Sequence, residues 1–197
     1  MFEEGGTVHI AAILGTTRPG NLTSRVLALA VDELLKRPGV RVSRIDPAEL
    51  DLPFPGQPGE SPGRERLKDA VREADGVLFA TPEYHGSYAA AMKLVIENLG
   101  FPSVLAGKPA ALIGAASGAI GAVKALEHLR SVLSHVGAIV LPGPVSVAGV
   151  GRVFDAEGRC LDEAVEKRTR KLAGNLLDYI ERSTCPRAGL EAFARRG

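Results

Sequence analysis

Short apolar runs alternate with stretches of helical spacing along almost the whole chain, and that alternation limits the fold more than any other feature. Val8 to Leu14 reads V-H-I-A-A-I-L and stops at Gly15. A continuous apolar run of this length, bounded by glycine, suits a strand buried on both faces of a parallel sheet. Leu27, Ala30, Val31, Leu34 and Leu35 then recur at helical spacing until Pro38-Gly39 stops them. The pair repeats down the chain. Further strands are predicted at Val40–Ile45, 76–80, 109–114 and 137–141. Helical stripes follow through Leu67 and Ala74, Tyr88 and Leu99, Val123 and Val136, and Val165 and Ile180. Such alternation predicts a parallel sheet with helices on both faces and right-handed crossovers.

Five strands in this pattern fit an α/β three-layer sandwich of flavodoxin-like order 2-1-3-4-5, with its switch point between strands one and three. Ligands of such sheets bind at the carboxyl ends of the strands. The length of 197 residues predicts one domain, expected over 1–183, followed by a basic tail over 184–197. Residues 47–63 hold five prolines and three glycines. This is long for a connection, and it reads as an unanchored excursion ahead of a lid or a partner contact.

Composition removes several functions. A net charge of +1 gives no footprint for nucleic acid or a membrane surface. No apolar run approaches the roughly 20 residues of a spanning helix. The first residues carry acids and no basic stretch, so no signal peptide is expected. Cys160 and Cys185 lie far apart, outside any C-x-x-C spacing, and read as free thiols in a reducing cytoplasm.

The loops after strands one, three and four carry the chemistry. The first contains Thr16, Thr17, Arg18, Asn21, Thr23 and Ser24 and opens a helix. Gly15 and Gly20 have P-loop spacing, but Asn21-Leu22 replaces Lys-Ser/Thr, which argues against a triphosphate. The dinucleotide G-x-G-x-x-G is also missing. Helix-terminal N–H groups with a guanidinium suit a phosphate monoester; a plain helix cap by Asn21 or Thr23 is the competing use. The third loop, Thr81-Pro82-Glu83-Tyr84-His85-Gly86-Ser87, mixes aromatic, imidazole, carboxylate and hydroxyl groups. The fourth, around Ser117-Gly118, is small enough for a flat ring to approach the backbone. The four histidines show no metal-ligand spacing. Gly114 to Gly118 is not G-x-S-x-G.

These residues resemble the NADPH-dependent FMN reductase family of flavodoxin-like proteins, which includes bacterial quinone, azo-dye and chromate reductases. Gly15 to Thr23 is similar to the family's G-S-x-R-x-x-S-x-N loop, Thr81 to Ser87 to its T-P-E-Y-N-x-S turn, and Ala106-Gly107-Lys108-Pro109 to its A-G-K-P strand entry. A loose match to its S-x-G turn falls at Ser117-Gly118-Ala119. His85 departs from the commoner Asn, and Lys93-Leu94 from Lys-Asn. The resemblance implies non-covalent FMN with NADPH or NADH as co-substrate. Thr16, Arg18, Asn21 and Thr23 would hold its phosphate. Pro82, Glu83, Tyr84 and His85 would line the isoalloxazine, largely through the backbone, and Ser117 and Gly118 would close the far side. No side chain need be catalytic, because flavin N5 carries the chemistry. The implied activity is ping-pong hydride transfer from NAD(P)H to quinone, azo, flavin or metal-oxyanion acceptors, in a homodimer or homotetramer. The helix after the third loop, through Met92, Val95, Ile96 and Leu99, would serve either the interface or the core. The rival is a flavodoxin-type electron carrier that binds FMN without turning over a substrate.

Overall fold

The computed structural model describes residues 7–57 and 59–184, so all but Thr184 of the tail expected over 184–197, Cys185 included, lies outside the described residues. Strand β1 (Val8–Leu14) leads to helix α1 (Thr23–Leu35) and β2 (Val40–Ile45). Next come α2 (Pro62–Glu73), β3 (Gly76–Tyr84), β4 (Ser87–Tyr88) and α3 (Ala90–Asn98). β5 (Pro109–Ala115), α4 (Val123–His135), β6 (Ile139–Val140), β7 (Val145–Val147) and α5 (Glu163–Tyr179) complete the order. The sheet path is β2-β1-β3-β5-β6, with β4 paired to β3 and β7 to β5. Without the hairpin strand β4 this is the expected 2-1-3-4-5, and every pairing on the path is parallel.

Alternate residues of each strand feed two separate cores. Ile10, Ala12 and Leu14 pack under α1 and α5. Ala11 and Ile13 pack on the other face, under α2, α3 and α4. Both faces of the sheet are therefore covered, which is why β1 reads as a continuous apolar run. Arg170 of α5 bridges to Asp32 and Glu33 of α1 and to Glu166 of its own helix. These carboxylates raise the guanidinium pKa still further, with Asp32 the largest contributor.

Three boundaries differ from the sequence reading. β3 runs on to Tyr84 instead of turning at Pro82. Ala80 gives its carbonyl to Gly15 on the β1 side. Pro82, two residues on, points the same way, but β1 has already ended there, so its missing N–H breaks no ladder bond. The predicted fifth strand, 137–141, shrinks to β6, and pairing to β5 resumes in β7 beyond Pro142 and Pro144, where no strand was predicted. Gly137 belongs to the end of α4: its N–H donates to Ser134 O and that of Ala138 to Leu133 O, a Schellman closure. The helix stripe Met92, Val95, Ile96 and Leu99 is core, each residue at most 4% exposed, and supplies no interface.

The proline-rich stretch is anchored. Asn98 Nδ2 donates to Pro53 O at 3.0 Å, and Ser61 both caps α2 through Arg64 N and donates to Asp51 O. Lys108 of the A-G-K-P match donates to Arg72 O and Ala74 O at the end of α2, and burial pulls its pKa down. It is a structural lysine. Lys93 pairs with Glu97 on the surface of α3, as a solvated helix lysine would.

His9 is the polar exception in β1. It is 2% exposed, its ring Nε2 lies 2.7 Å from Ser43 Oγ, and Nδ1 has no partner among the described residues. Burial, then Arg41, hold its pKa below the usual 6.5, while Glu73 and Asp75 pull weakly upward. A lowered folded-state pKa means that the unfolded chain binds more protons, so stability is lost as pH falls through the window below 6.5. The urea midpoint is expected to be lower at about pH 5.5 than at about pH 7.5. His9→Gln, which can keep the bond to Ser43, should show a smaller drop; an equal drop would assign the effect to other groups.

Candidate functional site

At the carboxyl edge of the sheet the three loops enclose a cavity of about 630 Å³, within the size range of small-molecule sites. Its walls bring together Arg18, Asn21 and Thr23 from the first loop, Pro82, Glu83, Tyr84 and His85 from the third, and Ser117 and Gly118 from the fourth. Thr16 lies behind the wall. It is 3% exposed, and its Oγ1 accepts the Arg18 N–H at 3.2 Å, so it shapes the loop from inside.

Asn21 is used as a cap. Its Oδ1 accepts from Ser24 N at 2.8 Å, and its Nδ2 donates to Arg18 O at 2.9 Å. What the first loop leaves for an anion is therefore its backbone, Arg18 and the Thr17 and Thr23 hydroxyls, which have no partner among the described residues. The N–H groups of Gly20, Asn21 and Leu22 have no acceptor among the described residues, and α1 has no acid in its first turn. Arg18 is exposed and pairs with no acid among the described residues. Three free donors and an unopposed cation at a helix amino end match a phosphate monoester.

The third loop is a tight hairpin. Glu83 pairs with Tyr88 and Tyr84 with Ser87, leaving His85-Gly86 as a two-residue turn. Both turn residues have positive φ, 50° and 72°. That is a type I′ turn, which glycine serves without a steric cost and which histidine tolerates better than most residues. Three side chains hold the hairpin. Thr81 Oγ1 accepts from Ala89 N and donates to Pro82 O. Ser87 Oγ lies 3.0 Å from His128 Nδ1, which turns His128 towards the hairpin. The Glu83 carboxylate accepts from Ala125 N of α4 at 3.0 Å. Burial pushes the Tyr88 phenol pKa up, with Lys93 opposing and Glu97 adding to the rise.

Ser117 and Gly118 are exposed on the fourth loop. A Cβ built on Gly118 meets no protein atom within 4 Å, so it faces open space along the cavity wall. Gly118 O accepts from Gly121 N and Gly149 N, and Ala116 exchanges bonds with Val147 and Val150. The segment after β7 thus buttresses this loop, and Val150 reaches the cavity wall. Sequence reasoning missed Val150, for which no local signal exists. It also missed Ile120, which is 86% exposed at the rim; a large apolar residue within a run of small ones was the available sign.

Comparison with known proteins agrees with this geometry. Residues 8–151 match the NADPH-dependent FMN reductase family. The chain is 34% identical over 180 residues to an NAD(P)H-dependent FMN reductase of Pseudomonas aeruginosa, covering 89% of this chain and 96% of the relative. It is 30% identical to an NADPH:quinone oxidoreductase of Arabidopsis thaliana, covering 89% and 93%. Among solved structures it superposes on FerB, a flavoenzyme NAD(P)H:(acceptor) oxidoreductase of Paracoccus denitrificans, with a TM-score of 0.75 at 26% identity, covering 89% and 98%. The carboxyl-edge cavity, the open amino end of α1 and these matches lead to one statement: the chain belongs to the NADPH-dependent FMN reductase family.

Proposed function

We propose that the carboxyl-edge cavity binds FMN, with its phosphate at the first loop and its ring between the hairpin and the Ser117–Gly118 loop. Family membership makes the chain an FMN-dependent NAD(P)H oxidoreductase; the assignment of residues is our reading. The open donors ahead of α1, beside an unpaired Arg18, carry it. Bound FMN would supply the redox centre that takes hydride from NAD(P)H and passes it to an acceptor.

The chain supplies position and electrostatics. Gly20, Asn21 and Leu22 would offer their N–H groups to the phosphate, and Arg18 a charge-assisted bond. Thr16 and Asn21 would hold that loop in shape, and the Thr23 hydroxyl on the cavity wall would add a bond to the phosphate. Pro82, Glu83, Tyr84 and His85 would present the hairpin backbone to the ring, while Ser117 and Gly118 leave room on its other side. Tyr84 and His85, exposed at the turn, would border the face where NAD(P)H and the acceptor alternate. Quinone, azo, flavin and metal-oxyanion compounds are the acceptor classes to screen.

Purified protein should show flavin absorbance or take up added FMN; failure to do either would remove this reading. Arg18→Ala is expected to weaken FMN binding by about 10- to 100-fold, the range for one charge-assisted bond. Fluorescence titration measures it, and unchanged affinity would exclude Arg18 as a phosphate ligand. Steady-state NAD(P)H oxidation with a quinone separates an enzyme from a flavodoxin-type carrier, which would not turn over.

We also propose one FMN-binding domain over 1–183, which a single urea transition would support, and a cytoplasmic site of action, where the free thiol of Cys160 stays reduced. Cell fractionation tests that location. The working form is proposed to be a homodimer or homotetramer, supported by Phe101 and Phe54, which are 90% and 65% exposed. Light scattering that reads a monomer at micromolar concentration would refute it.

A further inference from the structure

Two helices aim their amino ends at the cavity, and the chain treats them differently. The end of α1 is capped only by the neutral Asn21 side chain at Ser24 N, keeps free N–H groups at Gly20, Asn21 and Leu22, and has no acid in its first turn. The end of α4 is partly capped by groups from other elements, while Val123 N and Lys124 N have no acceptor among the described residues. Ala122 N donates to Ser146 Oγ at 2.8 Å, and Ala125 N to Glu83 Oε2 at 3.0 Å. The first turn of α4 has no acid of its own, so its one carboxylate arrives from β3. Lys124 lies in that same turn, exposed, and its side chain runs beside the hairpin glycine Gly86.

A helix amino end carries about half a positive charge. With Lys124 beside it, the α4 end would draw anions as the α1 end does. The negative charge of Glu83, bonded into that end, offsets Lys124 and leaves the end far less positive than that of α1, where Arg18 is unopposed. We propose that Glu83 is a selectivity-determining residue: its carboxylate weakens anion binding at the α4 end of the cavity and biases the enzyme towards uncharged acceptors over oxyanions. The inference rests on the oxidoreductase reading of this cavity. Excluding the wrong ligand by a placed repulsive charge is a common route to specificity. A second consequence is directional, since the α1 end is left as the anion-binding end.

A mere capping role is separable from a charge role, because glutamine keeps an oxygen for Ala125 N and loses the charge. Flavin content is measured first, on the full-length protein. Then kcat/KM is compared for chromate, a dianion, and for a neutral benzoquinone. In Glu83→Gln the chromate-to-quinone ratio is expected to rise by about fivefold or more at low salt, and the rise should shrink at about 1 M salt. Glu83→Ala should raise the ratio similarly while losing stability as well. Sulfate, tetrahedral and not reducible, gives a readout without turnover: it should shift the backbone amide resonances of residues 122–125 in Glu83→Gln and shift them clearly less in the wild type at the same concentration. An unchanged ratio in flavin-loaded Glu83→Gln overturns the proposal, and so do equal sulfate shifts at 122–125 in the two proteins. A wild type without flavin would count against the FMN reading, and the sulfate titration would still decide the role of Glu83.

Discussion

Leucine at position 118 is expected to strip the protein of its flavin without unfolding it. Gly118 is exposed, its φ is not positive, and a Cβ there meets no protein atom within 4 Å. Its backbone bonds to Gly121 and Gly149 use only the carbonyl and survive the change. The substitution should therefore cost the apoprotein under about 0.5 kcal/mol, as ordinary surface changes do. The added side chain would instead occupy the space into which a flat ring must slide. FMN affinity should fall by about 100-fold, the upper end of what overfilling a fitted site costs. The flavin-to-protein absorbance ratio after purification reads the loss directly. Added FMN should raise the melting temperature of the wild type by mass action and that of the variant by clearly less at the same concentration. Wild-type flavin content in Gly118→Leu would mean that this loop does not wall the ring.

The second large effect is expected from Gly121→Ala, and it should appear as lost stability. Gly121 has φ +79°, a conformation that costs an L-residue roughly 1–2 kcal/mol. The new methyl would also collide with Ser146 Oγ, the group that accepts from Ala122 N. Pushing that hydroxyl aside forfeits a helix cap worth about 1 kcal/mol. Together these predict a loss of roughly 2–4 kcal/mol, read from urea denaturation. A Ser146→Ala background separates the parts, because there the cap is already gone and the collision relieved. The extra cost of Gly121→Ala should then shrink towards the backbone term alone; an undiminished cost would show that Ser146 is not involved.

Much of the architecture is legible in the chain because burial on both faces leaves a plain mark. β1, β2 and β5 fall close to where their apolar runs stand, and the helices follow their stripes. Pro82 was misread because a proline ends most strands; here the neighbouring strand stops first, which is information only the pairing holds. Gly137 looked like the start of a strand and is the end of a helix, since a local pattern does not say which neighbour a glycine serves. At the site, the residue types were readable and their roles less so. Asn21 spends its side chain on the helix, Thr16 on the loop, and Glu83 on a helix forty-two positions away. The first two are short-range alternatives that a sequence leaves open. The third depends on a juxtaposition made by the fold.

Helix α5 bears on how the protein is made. The face of β1 carrying Ile10, Ala12 and Leu14 is covered jointly by α1 and α5, and α5 begins at Glu163. Synthesis proceeds at about 5–20 residues per second, so on the order of ten seconds separates the first strand from the helix that completes its cover. Through that interval the sheet offers half of a finished core to the cell. That face of the sheet closes only once α5 has been made, and chaperones that bind exposed apolar surface have their opening before then.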